Sequence, residues 1–375
     1  SGGNNTAIGT DALFNNLTAS NNTAVGYQAA YSNTTGTRLT VIGYQAGLSN
    51  VSNSYSAYVG YRAGANVTGD LNVAIGDRAL EGASGSTATQ TVAIGQGAIS
   101  AVTSGNSMVG IGYNALSANT SGTYNVAVGQ DALRSNLSAS NNTAVGYQAG
   151  YTNTTGTFNV FIGGQDGVLG KSAGYSNLSG SINTAIGNGA LATNSTGGNN
   201  TAVGYRALSL STVDNNTAFG AYALYVTSTG TFNVALGRDA LSSNTTGNSN
   251  TAVGYQAGAG NTNAAGNSFV GYQAGAGTTT GGSNTAMGNA ALKANVSGVY
   301  NAAFGDRALR LATGSGNASF GGLSSYNVGT GQYNTVVGGE ALFTNTSGSD
   351  QTAVGYQALY NTTGTDNTAL GYVAG

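Results

Sequence analysis

The chain has 375 residues and a formal net charge of −2, with 63 Gly, 6% charged residues and no Pro, Cys, His or Trp. Without His or Cys there is no Ser-His-Asp or Cys-His catalysis, no disulfide framework and no usual zinc, haem or iron–sulfur ligation. Ten Lys and Arg give no electrostatic footprint for nucleic acid or an anionic membrane, and no run approaches 18 apolar residues, so no membrane insertion is expected in this segment. Ser1-Gly2-Gly3-Asn4 is no signal peptide, and collagen is excluded because Gly does not recur every third residue.

Order along the chain separates this composition from disorder. The first element expected is a short strand over Asn5-Thr6-Ala7-Ile8-Gly9, and its glycine serves as an anchor for those that follow. Anchors recur at Gly26, Gly43 and Gly60, then after shorter and longer intervals at Gly76 and Gly95, and regularly again to Gly163. Gly163-Gly164-Gln165-Asp166-Gly167 interrupts the order, and Gly170 restarts it, so an irregular insertion near 163–170 is expected. Anchors then run from Gly187 to Gly371, making 23 anchors and 22 intervals, of which sixteen are 17 residues, four are 16, one is 19 and one is 7. The whole of 1–375 reads as a single continuous repeat domain. Both ends cut a repeat, and the reading is a fragment of a longer fibre.

The residue before each anchor is apolar, and three before it Thr or Val dominates; Ala usually stands between them. Side chains alternate across a strand, so Thr/Val and Val/Ile share one side and Ala and Gly the other, with neither side charged. Burial on both sides is expected, with Ile8, Val25, Ile42, Val145, Val203 and Val253 as structural core. A second short strand is expected around the Ala and Leu three and four residues past the anchor, such as Ala12-Leu13. Polar turns close each coil. Their glycines Gly36, Gly122, Gly156 and Gly247 are expected to supply positive φ. Seventeen residues close no independent core, so coils must stack. The fold class expected is all-β: a parallel β-solenoid, or β-roll, of about 22–23 coils with a 17-residue repeat. At roughly 4.8 Å per coil it makes a rod on the order of 105–110 Å. Asn four before the anchor (Asn5, Asn22, Asn72, Asn125) is expected to bond from coil to coil.

Twelve of the 22 charged residues fall in the two columns after the anchor, among them Arg62, Asp77, Arg78 and Asp131, so that turn is expected to face solvent. Tyr fills the first of these columns ten times. Tyr27, Tyr44, Tyr61, Tyr255, Tyr272 and Tyr356 are the candidate surface contacts, either as a ladder that stiffens the coil stack or as a flat aromatic surface for a glycan or protein.

The string Asn-Thr-Ala-Val-Gly-Tyr-Gln-Ala, present at 22–29, 142–149 and 250–257, resembles the Ser-Val-Ala-Ile-Gly-x-x-Ala repeat of trimeric autotransporter adhesin heads. It is also similar to the repetitive shafts of some phage tail fibres. The resemblance covers essentially every repeat, although the coil here is longer, and no neck, coiled-coil stalk or anchor barrel is visible. It implies a left-handed parallel β-roll, three chains about a common axis, and an extracellular or cell-surface location, or a virion appendage. With both strand sides apolar, the Ile/Val side is expected to line the solenoid and the Ala/Gly side to pack about the three-fold axis of a homotrimer.

Other motifs are weak. Gly110-x-Gly112-x-x-Ala115 uses glycines of the repeat and no helix follows it. Gly170-Lys171-Ser172 lacks the earlier P-loop glycine, its place being taken by Gln165. Asn-x-Ser/Thr sequons such as Asn33, Asn66 and Asn153 lie in the polar turns, where a glycan is expected to reach if the source glycosylates. No catalytic, metal or cofactor site is identified. The function expected is a non-catalytic shaft or head of an extracellular adhesive fibre, its partners being itself and a host-surface glycan or protein. The alternatives are a phage-like tail fibre for receptor recognition and, as a minor one, an ice-binding solenoid.

Overall fold

The computed structural model describes residues 2–375. The chain divides into two compact units, Ser1–Thr196 and Gly197–Gly375, where the periodicity alone reads one continuous domain. The repeat crosses that boundary at regular spacing and so gives no signal of it. Each unit is a parallel β-solenoid. The first holds eleven three-residue strands from Thr6–Ile8 to Thr184–Ile186, the second eleven from Thr201–Val203 to Thr368–Leu370. Within each unit every strand lies parallel to the next, column on column. Thr6 pairs with Thr23, Ala7 with Ala24 and Ile8 with Val25; in the second unit Thr251 pairs with Ser268, Ala252 with Phe269 and Val253 with Val270. No helix occurs among the described residues.

The two sides of the strand are the reverse of the expectation from the sequence. Ala is inside. Ala24, Ala74, Ala144, Ala202 and Ala252 have no exposed surface. The residues assigned to the core face outward: Ile8 is 60% exposed, Ile42 and Val145 are also exposed, and Val25, Val203 and Val253 are half-exposed. The reason is room. A coil of this length already places a second Ala and a Leu opposite the strand, such as Ala132 and Leu133, both fully buried. Interiors close-pack, and the remaining width usually takes a methyl group from the strand wall, Val41 and Val336 being the fully buried β-branched exceptions.

The second apolar segment is not a strand. It is a run of turns whose second and fourth residues past the anchor are left-handed, as Gln28 (φ 53°) and Ala30 (φ 50°), or Asp131 (φ 57°) and Leu133 (φ 47°). Such backbone pairs with the next coil as well as within its own turns: the Leu133 N–H donates to the Ala149 carbonyl at 3.0 Å, and the Asn136 N–H to the Leu133 carbonyl at 3.1 Å. Alternating left-handed residues hold side chains at positions three and four on the inner wall, which a regular strand does not allow.

The anchor glycine is required twice over. Wherever it follows a strand its φ is 122° to 145°, a region essentially restricted to Gly. A Cβ on Gly146 also meets the Gly163 carbonyl oxygen at 2.8 Å. The turn glycines are needed for a different reason from the one expected. Gly36, Gly122, Gly156 and Gly247 do not have a left-handed φ; a Cβ on them would lie 2.1 to 2.2 Å from the carbonyl oxygen of Asn53, Ala139, Gly180 or Ala264 in the next coil. The left-handed residue of that turn comes two later, as Arg38 (φ 59°) or Tyr124 (φ 59°).

Buried asparagines join the coils. Asn125 Oδ1 accepts the Asn142 N–H at 3.0 Å, and Asn142 Oδ1 accepts the Asn159 N–H at 2.9 Å. Asn142 Nδ2 donates onward to the Gly156 carbonyl at 2.9 Å. A second file runs through the polar turn, where Asn136 Nδ2 donates to Asn119 Oδ1 at 2.6 Å and Asn153 Nδ2 to Asn136 Oδ1 at 3.0 Å. These amides thus find partners away from water, as most buried polar groups do.

Gly170 closes no strand, which leaves 22 strands for 23 anchors. After Val160–Ile162 the chain leaves the coil, loops out, and rejoins at Ala173, whose N–H reaches the Gly163 carbonyl at 3.4 Å. Asp166 caps the loop: Val168 and Leu169 donate their N–H groups to its Oδ1 at 3.1 and 2.8 Å. Lys171, the P-loop-like lysine, donates to Ser176 Oγ at 3.0 Å, beside the Tyr175 ring.

Candidate functional site

Two surfaces carry chemistry: the turn just past the anchor, and the outer side of the strands. On the turn, all six candidate tyrosines are exposed. In the first unit Tyr27 stacks on Tyr44 at 5.1 Å and Tyr44 on Tyr61 at 5.4 Å. In the second unit Tyr255 stacks on Tyr272 at 5.4 Å, and Tyr356 on Tyr372 at 5.5 Å. One coil's rise of about 4.8 Å is close to the separation that offset rings prefer, so a Tyr in successive coils stacks without adjustment.

A second aromatic file lies five residues past the anchor and is absent from the reading of the sequence. Phe14 stacks on Tyr31 at 5.3 Å and Tyr151 on Tyr175 at 5.1 Å; in the second unit Tyr326, Phe343 and Tyr360 follow one another at 5.2 Å each. The signal was available as aromatics at a constant offset from the anchor, diluted because only some copies carry one. Arginines tie this file together: Arg134 Nη1 donates to Tyr151 Oη at 2.8 Å and Arg206 Nη2 to Tyr225 Oη at 2.7 Å, and Arg310 bonds Tyr326. Each of these cations also lies over the ring it bonds, 4.8 to 5.7 Å from its centroid.

The charged columns are not uniformly in water. Asp131 and Arg206 are buried under their coil neighbours, against the expectation of a solvated turn, because side chains one coil apart cover them. The sequons divide in the same way. Asn33 and Asn153 belong to the buried amide file, so a glycan cannot reach them in the folded coil, whereas Asn66 is half-buried.

The outer strand side is uncharged and largely apolar in both units. In the first unit the column before the anchor is Ile or Val throughout, for example Ile75, Ile94, Ile111 and Val128. In the second it also takes Phe219, Leu236, Met287, Phe304 and Phe320, with Phe304 stacked on Phe320 at 5.0 Å. The other outward column is Thr, Val, Ala or Ser, so no charge interrupts the stripe in either unit. Tyr58, Phe161 and Phe269, the large residues of the Ala column, point into the coil and are fully buried.

No protein-family model matches the chain, and no curated protein does.

Proposed function

We propose that the chain is a non-catalytic shaft or head segment of an extracellular adhesive fibre, assembled as a parallel homotrimer through the outer side of its strands. The observation that carries this reading is the stripe itself. Eleven successive coils in each unit present an apolar residue before the anchor, and many, such as Ile75, Ile186, Leu236 and Val337, are exposed in the single chain. Monomers rarely expose a continuous apolar patch beyond a few hundred Å². Identical flat stripes cover one another when equal coils lie side by side. The Ala side, first expected at the three-fold axis, is inside the coil and takes no part. The rows of turn tyrosines support surface contact as the second half of the function, whether the fibre belongs to a cell or a virion. Ice binding has less support, because Val73, Val92, Val109 and Val126 break the outward row of threonines.

Light scattering on the purified chain tests the assembly. The expected mass is three times 36.7 kDa. A double change to Ile75→Asp and Ile94→Asp should release folded single chains. A monomer mass for the unchanged protein, with its β spectrum intact, refutes the trimer.

A further inference from the structure

In the first unit the row of turn tyrosines breaks after Tyr61, where Asp77 and Gln96 stand in the column, and resumes at Tyr113. The missing rings leave a concavity of about 310 Å³ lined by Arg78, Glu81, Gln96, Ser100, Tyr113 and Asn114. Its floor is Gly97, whose column in this unit otherwise carries long or polar side chains such as Gln28, Arg62, Arg78 and Asn114, with Gly189 the other exception. We propose that this concavity binds one neutral pyranose unit of a saccharide, seated on the ring of Tyr113.

The ring comes first. Tyr61 is covered by its neighbour Tyr44, but the column neighbours of Tyr113 are Gln96 and Gln130, and no ring stacks on it among the described residues. Tyr113 is 48% exposed, so its ring borders the concavity with area to spare. A free aromatic face suits the aliphatic C–H face of a sugar, which offers apolar area without charge.

The polar rim supplies the rest. A pyranose carries hydroxyls that each donate and accept, so it needs both kinds of partner at close spacing. Glu81 accepts, Arg78 donates, and Gln96, Asn114 and Ser100 do both. These groups are held in place before any ligand arrives. Glu81 receives Arg62 Nη2 at 2.9 Å and faces Arg78 Nε at 3.8 Å, Gln96 Nε2 donates to Asp77 Oδ2 at 3.2 Å, and Arg78 lies over the Tyr61 ring at 5.8 Å. Concave sites with a few fixed polar groups are the general pattern of small-ligand recognition.

Charge decides which sugar. Arg78 and Glu81 are the charged residues of the lining, one of each sign, so the rim has no net charge. An acidic sugar gains no free cation here, because Arg78 faces Glu81, and it meets the Glu81 carboxylate. The site is on the turn and uses nothing of the outer strand side, so its fate and that of the trimer are separable.

Saturation-transfer NMR on the full chain tests the proposal. The probes are the methyl glycosides of glucose, galactose, mannose and N-acetylglucosamine, with methyl sialoside as the acidic comparison. Ring-proton saturation is expected for at least one neutral glycoside and not for the sialoside. Loss of the ring in Tyr113→Ala should weaken that binding about fivefold, the worth of one stacking contact. Gly97→Gln, which restores a side chain common in that column, should fill the floor and remove binding, while Tyr300→Ala in the second unit should leave it unchanged. Saturation of no neutral glycoside, saturation of the sialoside alone, or binding that survives both Tyr113→Ala and Gly97→Gln overturns the proposal.

Discussion

The coils through Ala144 and Phe161 are neighbours in register, Thr143 beside Val160, Ala144 opposite Phe161, and Val145 beside Ile162. From outside they are nearly the same. Inside they differ by an aromatic ring. The ordinary coil sets Ala against a Leu on the facing wall, as Ala127 and Leu133 do, both fully buried. Around Phe161 that wall carries Gly150 and Gly174 instead. A Cβ on Gly174 would lie 2.2 Å from Phe161 Cδ1, and one on Gly150 would lie 2.6 Å from Cδ2. The same exchange accompanies Tyr58, with Gly47 and Gly64, and Phe269 in the second unit, with Gly258 and Gly275. What the fold holds constant is interior volume, shared between two walls and between two successive coils, and the residue in any one column is free to change as long as that volume is kept.

The largest effect should come from charging the inner side. Ala144→Asp places an unpaired carboxylate in a fully buried position, at a cost on the order of 5 kcal/mol or more, enough to unfold a marginally stable unit. Circular dichroism at neutral pH should show loss of the native spectrum, and a native-like melt would refute the assignment of sides. Next is Phe161→Ala, which empties the space of a ring and should cost about 3–5 kcal/mol in urea unfolding. Gly174→Leu alone should cost about 1–3 kcal/mol by overpacking. The triple change Phe161→Ala, Gly150→Leu and Gly174→Leu restores the ordinary coil and should recover most of the loss. The left-handed backbone is no obstacle, since Leu133 and Leu191 hold φ of 47° and 52° in that same column. If the triple variant is no better than Phe161→Ala, interior volume is not what the coils exchange.

The exchange left a signal in the sequence, Gly in place of Leu beside Tyr58, Phe161 and Phe269, but it went unread there. Period, strand position, parallel register and the Asn file were legible. They follow from a fixed spacing that leaves one way to stack. The sides of the strand were not legible from pattern, since Thr-Ala-Val carries no charged residue to mark the outside and the Thr hydroxyl stands in the same column as Val. Only the width of the coil settles it, and that width depends on the left-handed turns past the anchor, whose residues (Gln28, Leu133, Arg78) are not ones that favour positive φ in isolation. The concavity beside Tyr113 was invisible for a related reason. It is made by what Asp77, Gln96 and Gly97 lack.

Smaller effects refine the comparison between inner and outer sides. Val145 is 37% exposed in the single chain. Val145→Asp, one residue from the destructive Ala144→Asp, should therefore cost only about 1 kcal/mol in unassembled chain, mostly lost strand preference. Urea unfolding of dilute chain reads the difference between the two variants directly. Equal losses would return Val145 to the interior.

The smallest effect distinguishes the coil through Tyr58 from the one through Phe161. Tyr58 brings a hydroxyl into the interior, where Asn53 Nδ2 donates to its Oη at 3.1 Å. Burial pushes the Tyr58 phenol above its ordinary value of 10.0 because the phenolate is poorly solvated there. The folded chain thus keeps a proton that the unfolded chain gives up. Unfolding then releases that proton, so the contribution of Tyr58 is fully present below pH 10.0 and declines as pH rises from there towards the folded value. Tyr58→Phe removes this decline. At pH 8 the variant should be less stable by about 1 kcal/mol, the worth of one hydrogen bond. Asn53 Nδ2 limits that loss, because it also donates to the Val67 carbonyl at 3.1 Å. Above pH 10.0 the gap should narrow, and in strong alkali it should reverse. Tyr175, whose phenol partial burial also raises, remains in both proteins, so the variant should keep a shallower alkaline slope and not lose it. Urea midpoints for the two proteins at pH 8 and pH 11 decide the point: a gap that stays constant between them means that the Tyr58 hydroxyl titrates as freely in the coil as in the unfolded chain.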